Sequence, residues 1–188
     1  MIQNLNLSPS TSASRADTFA ALNVLFRSGT LPAEPLDGRY RGGLAAIDLV
    51  PGATQLVQAI LSRWLPWQGK RFDAACECGD NIFTRDLYPL ARVIWPLYRA
   101  YTDDSAATYR AFTFKTSTGP GLFDPDRQVF KLDYDLPGNP PGNVKRVLDE
   151  LVELPDGTFL GKAHLKLYWS AWKTVAYFTL AQDKSHAR

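Results

Sequence analysis

Four groups of residues in this 188-residue chain have the types and spacing to be weighed for chemistry. Lys70 follows Gly69 at the start of an alternating segment and shares a strand face with Phe72. In an apolar interior its ammonium either pairs with a ligand carboxylate or snorkels to water along its stem. A Schiff-base role for it has no second support. Asp149 and Glu150 are consecutive. On a strand, Val147, Asp149 and Leu151 take one face and Leu148, Glu150 and Val152 the other, so one of the two acids points at protein. A buried carboxylate has a raised pKa and becomes a general-acid candidate, with Tyr134 as the group that shares the proton. Pairing with Arg146 is the structural alternative.

His164 is one of two histidines, and His186 lies near the end of the chain. His164 alternates with Phe159 and Leu165 and shares its face with Lys162 and Lys166, which predicts an exposed, structural histidine; the alternative is a ligand such as an axial haem ligand. Cys76 and Cys78 are too few for a zinc site. Two residues apart, they are poorly spaced for a disulfide and read as free, inward-facing thiols. A nucleophilic role for either would need a base, and Lys70 is the one on the same face. Asp133 and Asp135 alternate with Phe130, Leu132 and Tyr134 and are expected on the solvent face. No P-loop, dinucleotide fingerprint, HExxH or Gly-x-Ser-x-Gly motif occurs, and no cofactor is implied.

The elements that must position these residues are mostly strands. Residues 1–13 read as a polar tail, 14–182 as one domain, and 183–188 as a second tail. Ser14 to Arg27 reads as a helix with Phe19, Leu22 and Phe26 on one face. Arg39–Asp48 reads as a strand. A helix at 52–65 carries Ala53, Leu56, Val57, Ile60, Leu61 and Trp64 as an apolar stripe. Lys70–Cys78 alternates as a single strand, and 85–101 reads as a short helix with an irregular cover. Strands follow at 108–116, 127–135, 145–153, 158–168 and 172–181, with a hairpin turn at Pro155-Asp156-Gly157.

Antiparallel strands with one apolar face must bury it, and closing the sheet on itself also removes its edges. The fold class expected is therefore mainly β with a few helices, an antiparallel barrel. The composition includes ten Phe, eight Tyr and five Trp. Tyr40, Phe72, Phe112, Phe114, Phe130, Tyr134 and Phe178 either line a pocket or fill the barrel. The small residues Gly42, Ala46, Ala74, Gly161 and Ala163 on the same faces favour a pocket.

Several short motifs, in order, resemble a known family. Gly38-Arg39-Tyr40-Arg41-Gly42 resembles the Gly-x-Trp-x-Gly signature that opens lipocalin-like barrels, with Tyr40 standing where the family places Trp. Trp67-Gln68-Gly69-Lys70-Arg71-Phe72 resembles a W-x-GK-x-F stretch. Tyr134-Asp135-Leu136-Pro137, Asp149-Glu150-Leu151 and Asp156-Gly157-Thr158-Phe159-Leu160-Gly161 are looser counterparts of later segments. Together they resemble the GXWXG-type family of uncharacterised calycin-like proteins over most of residues 20–181. The resemblance implies a lipocalin-like barrel and no particular chemistry.

Net charge is +2, with no basic run of the kind nucleic-acid binders carry. No secretory signal is visible at the N-terminus and no apolar run approaches a membrane span. The expectation is a cytoplasmic protein without nucleic-acid or membrane partners, with a homodimer left open. The expected function is binding of a small hydrophobic molecule, fatty-acid-, polyketide- or isoprenoid-like, inside the barrel. Tyr40, Lys70, Phe72, Cys76, Phe112, Phe114, Phe130, Tyr134, Tyr177 and Phe178 are the candidate contacts. Two alternatives stand beside it. One is a cofactor-independent cyclase or isomerase of a biosynthetic pathway, using Asp149 or Glu150 with Tyr134. The other is a filled barrel with a structural role.

Overall fold

The computed structural model describes residues 12–48, 67–142, 144–167 and 171–184. The helix expected at 52–65, and nearly all of both tails, lie outside the described residues. Helix α1 spans Ser12–Ser28. The strands are β1 (Gly38–Ile47), β2 (Trp67–Asp73), β3 (Cys78–Thr84), β4 (Thr102–Asp103), β5 (Thr108–Pro120), β6 (Gln128–Asp133), β7 (Val147–Glu153), β8 (Phe159–Lys166) and β9 (Trp172–Gln182). A 3-10 turn at Arg85–Leu87 leads into helix α2 (Tyr88–Ile94), and the two occupy the segment between β3 and β4.

Eight of these strands close into an antiparallel barrel in the order β1-β2-β3-β5-β6-β7-β8-β9, each beside its neighbours in the chain. β4 lies outside the ring against β5. Closure depends on the length of β5. Its first half pairs with β3, Cys78↔Lys115 through Thr84↔Thr108, and its second half pairs with β6, Lys115↔Asp133 through Pro120↔Gln128.

The segment expected as one strand over 70–78 is a hairpin. β2 ends at Asp73, and β3 returns from Cys78 and carries Asn81 into the interior. Cys76 and Cys78 flank Glu77, whose φ is +50°, and they are joined by a disulfide. They are therefore neither free nor inward-facing. The turn brings the two sulfurs together because the chain doubles back between them, which an extended strand would forbid. The Pro155–Gly157 hairpin forms as expected: Leu154 N donates to Thr158 O at 2.8 Å, and Gly157 takes a φ of +77°.

Two apolar cores result. One lies inside the barrel and includes Tyr40, Phe72, Phe114, Leu132, Leu151 and Phe178. The other lies on the outer face of β6–β9, where α1 sets Phe26 against Val129, Val152, Leu160 and Tyr177. This second core changes the status of the outer face of β8. Lys162 is 2% exposed, paired with Asp124, and His164 is fully buried. Both were expected in water; Lys166 alone of that face is exposed. Period-two alternation separates inner from outer faces but carries no information about what later packs on the outer one.

Candidate functional site

The interior is not uniform along the barrel axis. Towards the end where β1 starts, rings pack solidly: Tyr40 meets Phe72 and Phe159 edge-on, with centroids 5.2 and 5.7 Å apart, and Phe72 meets Phe114 at 5.4 Å. Towards the end where β1 and β3 finish and β2 and β7 begin, the rings part around a cavity of about 270 Å³. Leu44, Ile47, Trp67, Phe83, Phe112 and Phe178 form its apolar wall, and Ala163 and Ala176 leave it room. The polar groups lining it are Lys70, Asn81, Tyr134 and Asp149.

These four residues form one hydrogen-bonded cluster. Lys70 Nζ donates to Asn81 Oδ1 at 2.8 Å, to Tyr134 OH at 2.5 Å and to Asp149 Oδ2 at 2.9 Å. Tyr134 OH donates to Asp149 Oδ2 at 3.1 Å. Asn81 Nδ2 donates to Tyr134 OH and to Phe112 O, both at 3.1 Å, while Trp67 Nε1 donates to Asn81 Oδ1 at 3.1 Å. Lys70 is 2% exposed and Asp149 3%. An unpaired ion so deep would be costly; here each charge has its counter-ion and further hydrogen bonds. Burial pushes the Lys70 ammonium below its ordinary pKa, against the pull of Asp149. Burial, and then the Asp149 charge, push the Tyr134 hydroxyl well above its own, so it stays a hydrogen-bond donor throughout the neutral range.

Local backbone features set this geometry. Gly69 has a φ of +138°, and a Cβ there would stand 2.0 Å from Tyr40 O, so only glycine lets β2 lie this close to β1 while Lys70 turns inward. In β5, the pairing with β3 shifts register between Gly79 and Asn81, and Phe112 sits in the shift with a φ of +58°. A phenylalanine in the left-handed region is an outlier and costs energy. The surroundings use the backbone groups that this bulge exposes: Tyr98 OH accepts from Phe112 N at 2.8 Å, and Phe112 O accepts from Asn81. Tyr134 is held from behind by Asn139, whose Nδ2 donates to Tyr134 O at 2.9 Å and to Thr113 O at 2.7 Å.

Of the residues singled out from the sequence, Lys70, Phe112, Tyr134, Asp149 and Phe178 meet at the cavity. Tyr40, Phe72, Phe114 and Phe130 pack in the barrel core but do not line it. Tyr177 faces outward, its ring 5.2 Å from Phe19 and its hydroxyl 3.3 Å from Asn23 Oδ1. Cys76 lies exposed in the β2–β3 turn. Glu150 is on the opposite face from Asp149 and equally buried. Its Oε2 bonds His164 Nε2 at 3.1 Å, and its Oε1 accepts from Leu122 N at 2.7 Å. Lys70, not Arg146, is the cation beside Asp149. Gly42 and Gly161 do not leave free volume, because the Trp67 and Phe178 rings fill the space their missing side chains give.

Sequence reasoning missed Asn81, Trp67, Asn139 and Tyr98. Asn81 was hidden because β3 was not recognised. Its one signal is an amide set between Gly79 and Ile82-Phe83 in an otherwise strand-like run. Among the described residues, no group of His, Cys, Asp or Glu is arranged to hold a metal ion, and no helix is long and apolar enough to cross a membrane. Compared with family models, curated proteins and solved structures, the chain matches none, so its functional reading rests on this geometry alone.

Proposed function

We propose that the chain is a lipocalin-like binding barrel that takes up a small hydrophobic molecule, fatty-acid-, polyketide- or isoprenoid-like in character, with the molecule's apolar body against the aromatic wall and its polar end at the Lys70–Asp149 cluster. The observation that carries this reading is the cavity itself. It is apolar nearly all round, close to the lower size of small-molecule sites, and its polar groups converge at one place. Burying ~200 Å² of apolar ligand surface there contributes about 5 kcal/mol before the costs of association.

The test is to fill the space. Ala163 lines the cavity at a half-buried position on β8. Ala163→Leu should abolish uptake of medium-chain hydrophobic probes, followed by native mass spectrometry, while leaving the circular dichroism spectrum unchanged. Unaltered uptake by a folded Ala163→Leu protein would place binding elsewhere.

A second reading, a cofactor-independent isomerase or cyclase, is favoured by one feature. Asp149 keeps its Oδ2 on Lys70 and Tyr134, and among the described residues no hydrogen bond reaches its Oδ1. A carboxylate oxygen open towards bound substrate can take a proton from it, while Lys70 and Tyr134 steady the resulting charge. Turnover of a polyene or ketone substrate, lost in Asp149→Asn with uptake retained, would select this reading over plain binding.

A further inference from the structure

We propose that the polar end of the bound molecule is a hydroxyl that donates to Asp149 Oδ1, and that the site discriminates against carboxylates and bare carbonyls. This rests on the cavity being a ligand site, as argued above.

Every donor in the cluster already has an acceptor. Each N–H of the Lys70 ammonium is already used, by Asn81, Tyr134 and Asp149. Tyr134 gives its proton to Asp149. Both N–H groups of Asn81 are spent on Phe112 O and Tyr134 OH, and the indole N–H of Trp67 is spent on Asn81. An ammonium, a phenol, an amide and an indole have no further donors to offer. What the cluster still presents is an acceptor. Asp149 Oδ1 takes no hydrogen bond among the described residues, is not among the fully enclosed atoms without a partner, and belongs to a residue that lines the cavity.

A carboxylate entering here meets no free donor and adds a second negative charge beside Asp149, whose first is already balanced by Lys70. Desolvating that extra charge in an apolar cavity has no compensation. An aldehyde or ketone is uncharged but offers only acceptors, so its oxygen faces another oxygen. An ammonium donates, but it sets a second cation beside Lys70. A neutral hydroxyl supplies the donor that Asp149 Oδ1 lacks and leaves the cluster neutral. The available space, about nine waters' worth at ~30 Å³ each, suits a molecule of about eight to ten carbons. The ligand class is therefore a medium-sized alcohol, such as an isoprenoid or fatty alcohol, and not the corresponding acid.

The experiment is a calorimetric titration of the full chain with n-octanol, octanal and octanoate, repeated on Asp149→Asn. Octanol should bind the unmodified protein at least tenfold more tightly than either of the others. In Asp149→Asn the carboxylate acceptor is gone and Lys70 is left without its counter-ion, so octanoate should overtake octanol. The preference of the unmodified protein decides the matter even where Asp149→Asn folds poorly. Octanoate or octanal binding it as tightly as octanol overturns the hydroxyl assignment and leaves the binding barrel standing. No binding of any of the three overturns the binding barrel as well.

Discussion

Tyr134 OH, just past the end of β6, and Asp149 Oδ2, on the neighbouring β7, stand 3.1 Å apart, and the Lys70 ammonium touches both. The carboxylate is thus held by two donors on one oxygen, and the three side chains behave as a unit.

A unit of this kind should be strongly non-additive. Lys70→Met or Asp149→Leu alone leaves one buried ion without its partner and should cost about 3–5 kcal/mol. The double variant removes both charges and should recover at least half of the summed loss. Urea unfolding of the four proteins measures this, and simple additivity of the two single losses would mean that the pair is not coupled.

Neighbouring acids should behave differently. Glu150 contacts His164, Lys131 and the Leu122 amide on the outer face and has no part in the cavity. Glu150→Leu should destabilise the fold by about 2–4 kcal/mol, through the polar groups it leaves unpaired, while octanol affinity stays within twofold. Asp149→Asn should alter ligand preference. A Glu150→Leu protein that folds normally but changes that preference would contradict the separation of the two faces.

Gly69→Ala puts a Cβ against Tyr40 O in a backbone conformation that alanine resists. The β1–β2 pairing and the Lys70 position should both suffer. We expect a loss of about 2–4 kcal/mol, equal to roughly 4–16 °C in melting temperature for a domain of this size. The same substitution at Gly138, where nothing lies within 4 Å and φ is not in the left-handed region, should be close to neutral.

Alkali should act in two phases. Burial lowers the Lys70 pKa in the folded state, so the unfolded chain holds that proton more tightly, and stability should rise with pH from the depressed Lys70 value towards about 10. Burial raises Tyr98 and Tyr109 to about 12, and it raises Tyr134 and Tyr177 as well. The unfolded chain gives up these protons first, so stability should fall above about pH 10. Urea midpoints across this range read both limbs. Lys70→Met should flatten the rise and Tyr109→Phe should shallow the fall; unchanged limbs in both variants would refute the assignment.

Much of this was legible in the sequence, and the residues show why. Alternation placed Lys70 and Tyr134 inward, since a period of two is a local property. It could not choose between Asp149 and Glu150, because both faces of β7 carry apolar residues and each face is covered. It put His164 and Lys162 on the outer face but in water, because the segment holding Leu122, Phe123 and Asp124, and helix α1, reach them from far along the chain. The disulfide between Cys76 and Cys78 was missed because the reading assumed an unbroken strand where the chain turns. The bulge at Phe112 gave no signal, since phenylalanine does not itself favour the left-handed conformation it adopts there. The sequence also allowed Lys70 to greet a ligand carboxylate; the structure shows its ammonium fully engaged by neighbours.

Because the main sheet wraps round until β3 meets β5, the described strands leave little ladder open to another chain. Among the described residues the open stretches are the outer side of the two-residue β4, residues 42–47 of β1 on the side of β2, and residues 117–120 of β5 on the side of β3. Templated strand addition, the usual route by which β-rich proteins polymerise or swap segments, is therefore confined to these short stretches. Such a protein should tolerate high concentration without fibrillising as long as the ring stays shut. Association between native copies would then rest mainly on side chains, with shared backbone hydrogen bonds limited to those stretches.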